Sequence, residues 1–328
     1  MISVLVTGVG GGVGQSILKS LQNSAYRVIG ADGDVLAAGL YAVTKAYQVP
    51  YAAAPGYVER LLDICEREKC ALLFPGLDAE LPVLAREAHR FRERGVVPVV
   101  SSPEVVAIAD DKLETYRFLS ARGFPAPRTL PLSECALPFP LVLKPRRGGA
   151  RSQGVFVVGD ERALSQRLST LDAANYVAQE HIEGDEYTCG SISFENRCYG
   201  AIVMRRVLRD GDTYKAFVQN DPRIEAHVTA VAEALKPFGA CNFQLRVRDG
   251  VPYIFEINAR CSGTTHSRTL AGFNEPLMAA DYLTQNKRPA YAIHEITILR
   301  YWNELVVENE RIAALREEGV VAGDGSAL

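Results

Sequence analysis

The sequence contains no apolar run of the roughly 20 residues that a bilayer crossing requires. It has no surplus of positive charge: 36 Lys and Arg stand against 39 Asp and Glu, a net charge of −3. That balance gives no electrostatic footprint for nucleic acid or for an anionic membrane surface. It has no C-x-x-C pair. The seven cysteines (Cys65, Cys70, Cys135, Cys189, Cys198, Cys241 and Cys261) are odd in number and scattered, which fits a reduced cytoplasmic protein without structural zinc. The start, MISVLVTGVGGGVG, lacks the basic region and small-residue cleavage site of a signal peptide. Nothing resembles a Ser/His/Asp triad, a thiol nucleophile with its base, or a His-rich zinc site. No internal repeat or low-complexity tract stands out.

What is present is a chain of 328 residues, longer than one core usually covers, so two or three lobes are expected. Residues 2–7, 27–32, 71–76 and 96–100 are short apolar runs, and 15–21 and 58–68 carry helical periodicity. Strands alternating with helices predict a parallel sheet covered on both faces. This first α/β, Rossmann-like domain is placed at 1–107. A helix from DDKLETYRFLSARG follows. Strands then fall at 139–145, 154–158 and 176–182, with a short helix at 161–171, as in a small lid lobe over 108–183. From 184 to 328 the pattern is strand-rich, with helices at 225–236 and 275–284, and a hairpin turn at 248–250. The stretch TILRYWNELVV is read as a core or interface strand, and the last dozen residues as frayed.

The chemistry gathers on two predicted strands joined by that hairpin. Alternation puts Glu256, Asn258 and Arg260 on one face and Phe255, Ile257 and Ala259 on the other. Gln244 comes onto the polar face from the paired strand. Amide and carboxylate oxygens suit Mg²⁺, which binds one or two carboxylates plus nucleotide phosphates. The planar fork of Arg260 suits a phosphoryl group. Lys144 leaves a buried strand into a loop with Gly148, Gly149, Ser152 and Gly154, whose backbone can approach phosphate. QEHIEGDEYT at 179–188 ends a strand in Glu180, His181 and Ile182, a hinge able to offer backbone groups to adenine, with Glu186 near enough for ribose hydroxyls. Asp78 and Glu80, after the third strand, stand either as ligands of a substrate ammonium or as helix-start residues. Ser262 and Thr264 are placed to hold a substrate carboxylate beside Arg260. His266 reads as structural, and Lys215 as part of a loop.

Lys112 in DDK, Lys144 in LVLKP, GGARSQG, QEHIEGDEY, NFQ and FEINAR stand in the order and rough spacing of the ATP-grasp superfamily. Over nearly its whole length the chain resembles the carbamoyl-phosphate-synthase-type branch, which includes small-molecule carboxylate–amine ligases. The resemblance implies an ATP-grasp core behind the N-terminal domain, with Lys112 and Lys144 on ATP phosphates. It implies Glu180 and Ile182 on adenine and Glu186 on ribose. Gln244, Glu256 and Asn258 would face Mg²⁺ (or Mn²⁺ as a substitute), and Arg260 the transferring phosphoryl group. It implies a carboxylate activated as an acyl phosphate, an amine acceptor, release of ADP and phosphate, and in many members a homodimer. One departure is visible. KPRRGGARSQG is one residue longer than the family loop, and Ala150 or Arg151 stands where glycine is expected, which leaves the register of Ser152 open.

Two readings compete. A degenerate, non-catalytic nucleotide- or amino-acid-binding module would keep the fold without turnover. An NAD(P)-dependent enzyme would use TGVGGGVGQS with Asp32 or Asp34, but Val13 occupies the third glycine position of that motif.

Overall fold

The computed structural model describes residues 1–323 and residue 325. Its first sheet contains β1 (Ile2–Thr7), β2 (Tyr26–Asp32), β3 (Lys45–Gln48), β4 (Cys70–Phe74) and β5 (Val97–Pro98), interleaved with α1 (Gly12–Leu21), α2 (Tyr57–Glu68) and α3 (Leu81–Arg92). These strands run parallel in the order β3-β2-β1-β4-β5. They are apolar on both faces because both are covered. Val4, Val6 and Phe74 pack with Ile17 and Leu21 of α1, while Leu5, Ile29 and Leu73 pack with Leu61 of α2 and Leu84 of α3. Strand order reverses between β1 and β4, so a crevice opens at their carboxyl ends.

Helices α4 (Pro103–Asp110) and α5 (Lys112–Ala121) lead into a small antiparallel sheet of β6 (Thr129–Pro131), β7 (Leu141–Pro145), β8 (Phe156–Val158) and β9 (Tyr176–Glu180), ordered β6-β9-β7-β8 and backed by α6 (Glu161–Leu168). The third sheet is antiparallel throughout. It contains β10 (Asp185–Phe194), β11 (Arg197–Arg209), β12 (Asp212–Gln219), β13 (Gly239–Arg248), β14 (Val251–Asn258) and β15 (Thr297–Leu299), ordered β14-β13-β10-β11-β12-β15. Helix α7 (Pro222–Leu235) covers one face, with Ile224, Val228 and Val231 against Phe243, Leu245 and Ile257. Beyond β14 come α8 (Thr265–Leu270), α9 (Glu275–Gln285), α10 (Asn309–Glu318) and β16 (Val320–Ala322). Ile192, Phe194, Phe273 and Met278 share a core with Val4 and Phe74, so the first and third sheets are bound by common packing.

Local chemistry sets the element ends. Ser102, Asp111, Asp160, Asp221 and Asn274 accept backbone N–H groups at helix starts, each such cap contributing about 1 kcal/mol. Asp249 and Gly250, both in the left-handed region (φ 53° and 76°), form the β13–β14 turn, as a two-residue hairpin of this twist demands.

Several expectations need correction. Lys215 lies in β12, where Thr213, Ala216 and Val218 turn inward, and not in a loop. Only Thr297–Leu299 of the stretch read as a core or interface strand pairs with β12. Tyr301 and Trp302 are 86% and 85% exposed. The end of the chain is not frayed up to residue 322, because β16 pairs antiparallel with β3 of the first sheet. Residues 324 and 326–328 lie outside the described residues.

Candidate active site

The β13–β14 register sets Gln244 opposite Glu256 and Asn242 opposite Asn258. Opposed residues of an antiparallel pair share a face. Gln244 Nε2 and Asn258 Nδ2 both donate to Glu256 Oε1 at 3.1 Å. Arg260 Nη2 donates to Asn258 Oδ1 at 3.0 Å. At the other end, Arg206 of β11 donates from Nη2 to Gln244 Oε1 (2.7 Å) and to Glu186 Oε1 (2.7 Å). The result is one unbroken polar row, Glu186–Arg206–Gln244–Glu256–Asn258–Arg260, across β10, β11, β13 and β14. On the opposite face Phe243, Ile257 and Ala259 are buried in the core under α7.

Phe255 departs from the expected alternation. The register slips between Gln244 and Leu245, so Leu245 pairs with Ile254 and Phe255 is the extra residue of a bulge. Ile254 takes the core position, and the Phe255 ring lies 4.3 Å from the Lys144 ammonium.

Lys144, the penultimate residue of β7, has only 8% of its surface exposed. Burial pushes its ammonium down to about 8. Nearby Glu256 opposes the shift and neighbouring Lys112 adds to it. Lys112 is also buried and donates from Nζ to the Gly148 carbonyl at 2.8 Å. Asp111 grips Arg146 with both oxygens, at 2.9 and 2.7 Å, which ties α5 to the glycine loop. Gly148, Gly149 and Gly154 have positive φ. A Cβ on Gly154 would stand 2.6 Å from the Tyr176 hydroxyl, so the close approach requires glycine. Arg151 and Ser152 both sit in the left-handed region (φ 57° and 56°), which is how the longer loop turns without its expected glycine. Ser152 is exposed, and Arg151 pairs with Asp212 of β12 at 2.7 Å.

At the hinge, Glu180 pairs with Arg248 at 3.2 Å, and its N–H donates to the Arg128 carbonyl at 2.8 Å. Ile182 is buried, and its carbonyl accepts from Arg246 Nη1 at 3.2 Å. His181 is half-buried between them, with a buried Nδ1 that finds no partner among the described residues. Glu186 is held by Arg206 and by Arg246 Nη2 at 2.8 Å. Burial would raise its carboxyl, but the two guanidinium groups outweigh it and hold the pKa below the ordinary value. The sequence puts Arg205 and Arg206, in VMRRV, on opposite faces of one strand, so at most one of them faces the cleft; it does not say which, and it does not single out Arg246. The only available signal was that Arg206 has the strand parity that brings it beside Glu186.

On the first-domain side, Arg260 forks onto Asp78 with Nε at 2.8 Å and Nη2 at 2.7 Å. Asp78 lies beyond the carboxyl end of β4, at the crevice, and half of it is exposed. Burial raises its carboxyl, but the Arg260 charge more than offsets this and the net shift is downward. Glu80 is not in the cleft. It is 3% exposed beneath the sheet end, accepting from Thr7 Oγ1 at 2.6 Å and Gly76 N at 3.2 Å, and burial lifts its carboxyl to about 7. Ser262 and Thr264 are buried as well. Their hydroxyls meet at 2.8 Å, and Ser262 accepts from Arg268 Nη2 at 2.9 Å. Arg268 is fully buried and pairs with the equally buried Glu275 at 2.6 Å, an arrangement the sequence did not disclose. Asp32 is occupied by its own turn: its oxygens accept from Gly10 N at 2.7 Å and Asp34 N at 3.0 Å.

The cleft thus gathers five cations (Lys112, Lys144, Arg206, Arg246, Arg260) around three carboxylates (Glu186, Glu256, Asp78), in a protein of net negative charge. Such a surplus suits a polyanion. Among the described residues no group of three or more His, Cys, Asp or Glu could hold a metal ion. Glu256 flanked by two amides fits a hard cation whose remaining ligands are water and phosphate.

A family model described as "PylC-like, N-terminal domain" matches residues 4–100, and one described as "ATP-grasp in the biosynthetic pathway with Ter operon" matches residues 172–304. The chain is similar to D-alanine–D-alanine ligase of Bacillus anthracis, at 29% identity over 137 residues, 37% of this chain and 44% of that protein. The match therefore spans less than half of that ligase. The carbamoyl phosphate synthase large chain of Mycobacterium tuberculosis is 26% identical over 205 residues, 54% of this chain and 18% of that one. Among solved structures, N5-carboxyaminoimidazole synthetase from Staphylococcus aureus complexed with ADP superposes with a TM-score of 0.72 at 16% identity, covering 89% of this chain and 80% of that one. A lid sheet and a larger antiparallel sheet behind a parallel N-terminal domain is the architecture of these enzymes. Sequence model and fold agree: residues 172–304 belong to the ATP-grasp superfamily, in a chain that has the ATP-grasp fold.

Proposed function

We propose that this chain is an ATP-dependent ligase that activates a small-molecule carboxylate as an acyl phosphate and joins it to an amine, releasing ADP and phosphate. The observation that carries the reading is the unbroken row from Glu186 to Arg260, ending on Asp78. Its outer and central members stand in the order a magnesium–nucleotide complex needs: Glu186 as a ribose acceptor at one end, the metal residues Gln244, Glu256 and Asn258 in the middle, and Arg260 as a cation for the transferred group at the other end. The relatives support ligase chemistry, D-alanine–D-alanine ligase among them.

In this reading the hinge at Glu180, His181 and Ile182 takes the adenine edge. Lys112 and Lys144 neutralise phosphate oxygens, and the loop through Ser152 and Gly154 closes over them. Glu256 and Asn258, with Gln244 beside them, would hold Mg²⁺, which would supply neutralisation of phosphate charge. Arg260 steadies the migrating phosphoryl group, so the protein contributes positioning and electrostatics. The substrate carboxylate oxygen attacks the γ-phosphorus while the β–γ bridging oxygen leaves with ADP. The amine nitrogen then attacks the acyl carbon and phosphate departs. Asp78 is set to receive a substrate ammonium once Arg260 turns to the phosphoryl group. Buried Glu80, Ser262 and Thr264 support this wall from behind.

Paired amino acids and small carboxylates, screened for ADP release with product masses, test the proposal. Substrate-dependent ADP with a condensed product supports it. AMP and pyrophosphate would indicate adenylation, and no nucleotide turnover at all would leave the non-catalytic module as the better reading.

A further inference from the structure

The row contains one residue that no assignment above uses for ligand binding. Arg206 is nearly buried, its side chain 9% exposed. Its Nε and Nη2 donate to Glu186 at 3.0 and 2.7 Å, and Nη2 also reaches Gln244 at 2.7 Å. Nη1, with two protons, makes no hydrogen bond to the described residues. A guanidinium has donors only, and Nη1 is not among the buried nitrogens without a partner, so it keeps contact with the outside and is free to donate to an acceptor that enters the cleft. The atom of Gln244 that meets Arg206 must be its oxygen, because arginine cannot accept. The Gln244 nitrogen consequently faces Glu256. Gln244 therefore locks the guanidinium in place from one side while Glu186 locks it from the other.

The position is informative. Arg206 stands between Glu186 and the Gln244–Glu256 pair. On the nucleotide reading, which this inference rests on, that is the interval between ribose and metal, where the α- and β-phosphates lie. Lys144 borders the same space, since Glu256 and Glu186 both act on its ammonium. A planar fork with one free nitrogen matches phosphate oxygens better than a third lysine would.

We propose that Arg206 is a phosphate-binding residue of the nucleotide site, oriented by Glu186 and Gln244 and directed at the α- and β-phosphates. A binding role and a purely structural role make different predictions. If Arg206 touched only protein, its loss would release Glu186 and weaken every adenine nucleoside alike. If it binds phosphate, the loss grows with the phosphates present.

The test is calorimetric titration of the full chain with adenosine, ADP and ATP in EDTA, so that metal plays no part. Arg206→Met is expected to weaken ADP and ATP by about ten- to a hundredfold, the range for a hydrogen bond to a charged group. Adenosine should change by less than about twofold. Arg206→Lys keeps the charge without the fork and should recover part of the loss, and circular dichroism melts confirm that both variants fold. Equal weakening of adenosine and ADP, or ADP binding unchanged in Arg206→Met, overturns the proposal while leaving the ATP reading intact. Failure of the unaltered protein to bind ADP or ATP both in EDTA and with Mg²⁺ overturns both.

Discussion

At the residue scale, Glu256 is the pivot of the cleft, because both neighbouring amides converge on one of its oxygens. Glu256→Gln is expected to lower ADP release at least about a hundredfold, the loss typical of a group that stabilises transition-state charge. Activity at the level of the unaltered protein would remove the carboxylate from the metal site. Lys144 gives a second prediction. Its folded pKa, about 8, lies below the ordinary lysine value, so between those two values the unfolded chain holds a proton that the folded protein lacks. Stability from this group therefore rises with pH across that window. Nucleotide binding runs the other way, because bound phosphate favours the charged ammonium. Affinity should fall as pH climbs above about 8, by at most about tenfold per unit, and Lys144→Arg should flatten that dependence. Titrations from pH 7 to 9.5 read it directly. The polar face of Glu256, Asn258 and Arg260 was legible because a strand has period two. Phe255 was not, because a bulge depends on the register with β13, which no local pattern records. The same limit left Arg206 undistinguished from Arg205 and Arg246 unnoticed, because Glu186, the partner of Arg206 and Arg246, lies on another strand.

At the element scale, the fully buried Arg268–Glu275 pair ties α8 to α9. Burial lifts the Glu275 carboxyl to about 7, with the Arg268 charge holding it back from rising further. Gly190 of β10 makes room for the pair, since a Cβ there would lie 2.6 Å from both Arg268 Nε and Glu275 Oε1. Gly190→Ala should therefore destabilise the fold by about 2–4 kcal/mol, combining overpacking with strain on a buried ion pair. Denaturant melts check it, and a change below about 0.5 kcal/mol would mean that the pair yields freely. Sequence patterns located α1, α2, α5, α6, α7 and α9, whose apolar periodicity is plain, but not α4, α8 or α10, which are short or weakly patterned. They missed β3 and β12, short or mixed strands held by pairing partners far away in the chain.

At the scale of the whole molecule, the cleft is assembled from all three sheets. Lys144 comes from the lid and Glu256 from the large sheet. Asp78 of the first domain clasps Arg260 across 182 residues of chain. A ligand that engages these parts together stabilises the fold by mass action. ATP with Mg²⁺ at about a hundred times its Kd should add about 2.7 kcal/mol and raise the melting temperature, while NAD should not. The expectation about NAD follows from Asp32, whose oxygens serve the glycine turn. The order of the lobes could be read from the sequence. The return of β16 to the first sheet could not, because a three-residue strand carries too little pattern to name its neighbour.

The most direct measurement is a crystal structure with Mg²⁺ and a non-hydrolysable ATP analogue. The account predicts a triphosphate lying between Lys112, Lys144 and Arg206, with the metal against Glu256. A nucleotide seated on the Gly8–Gly12 turn, with the row from Glu186 to Arg260 left untouched, would contradict it.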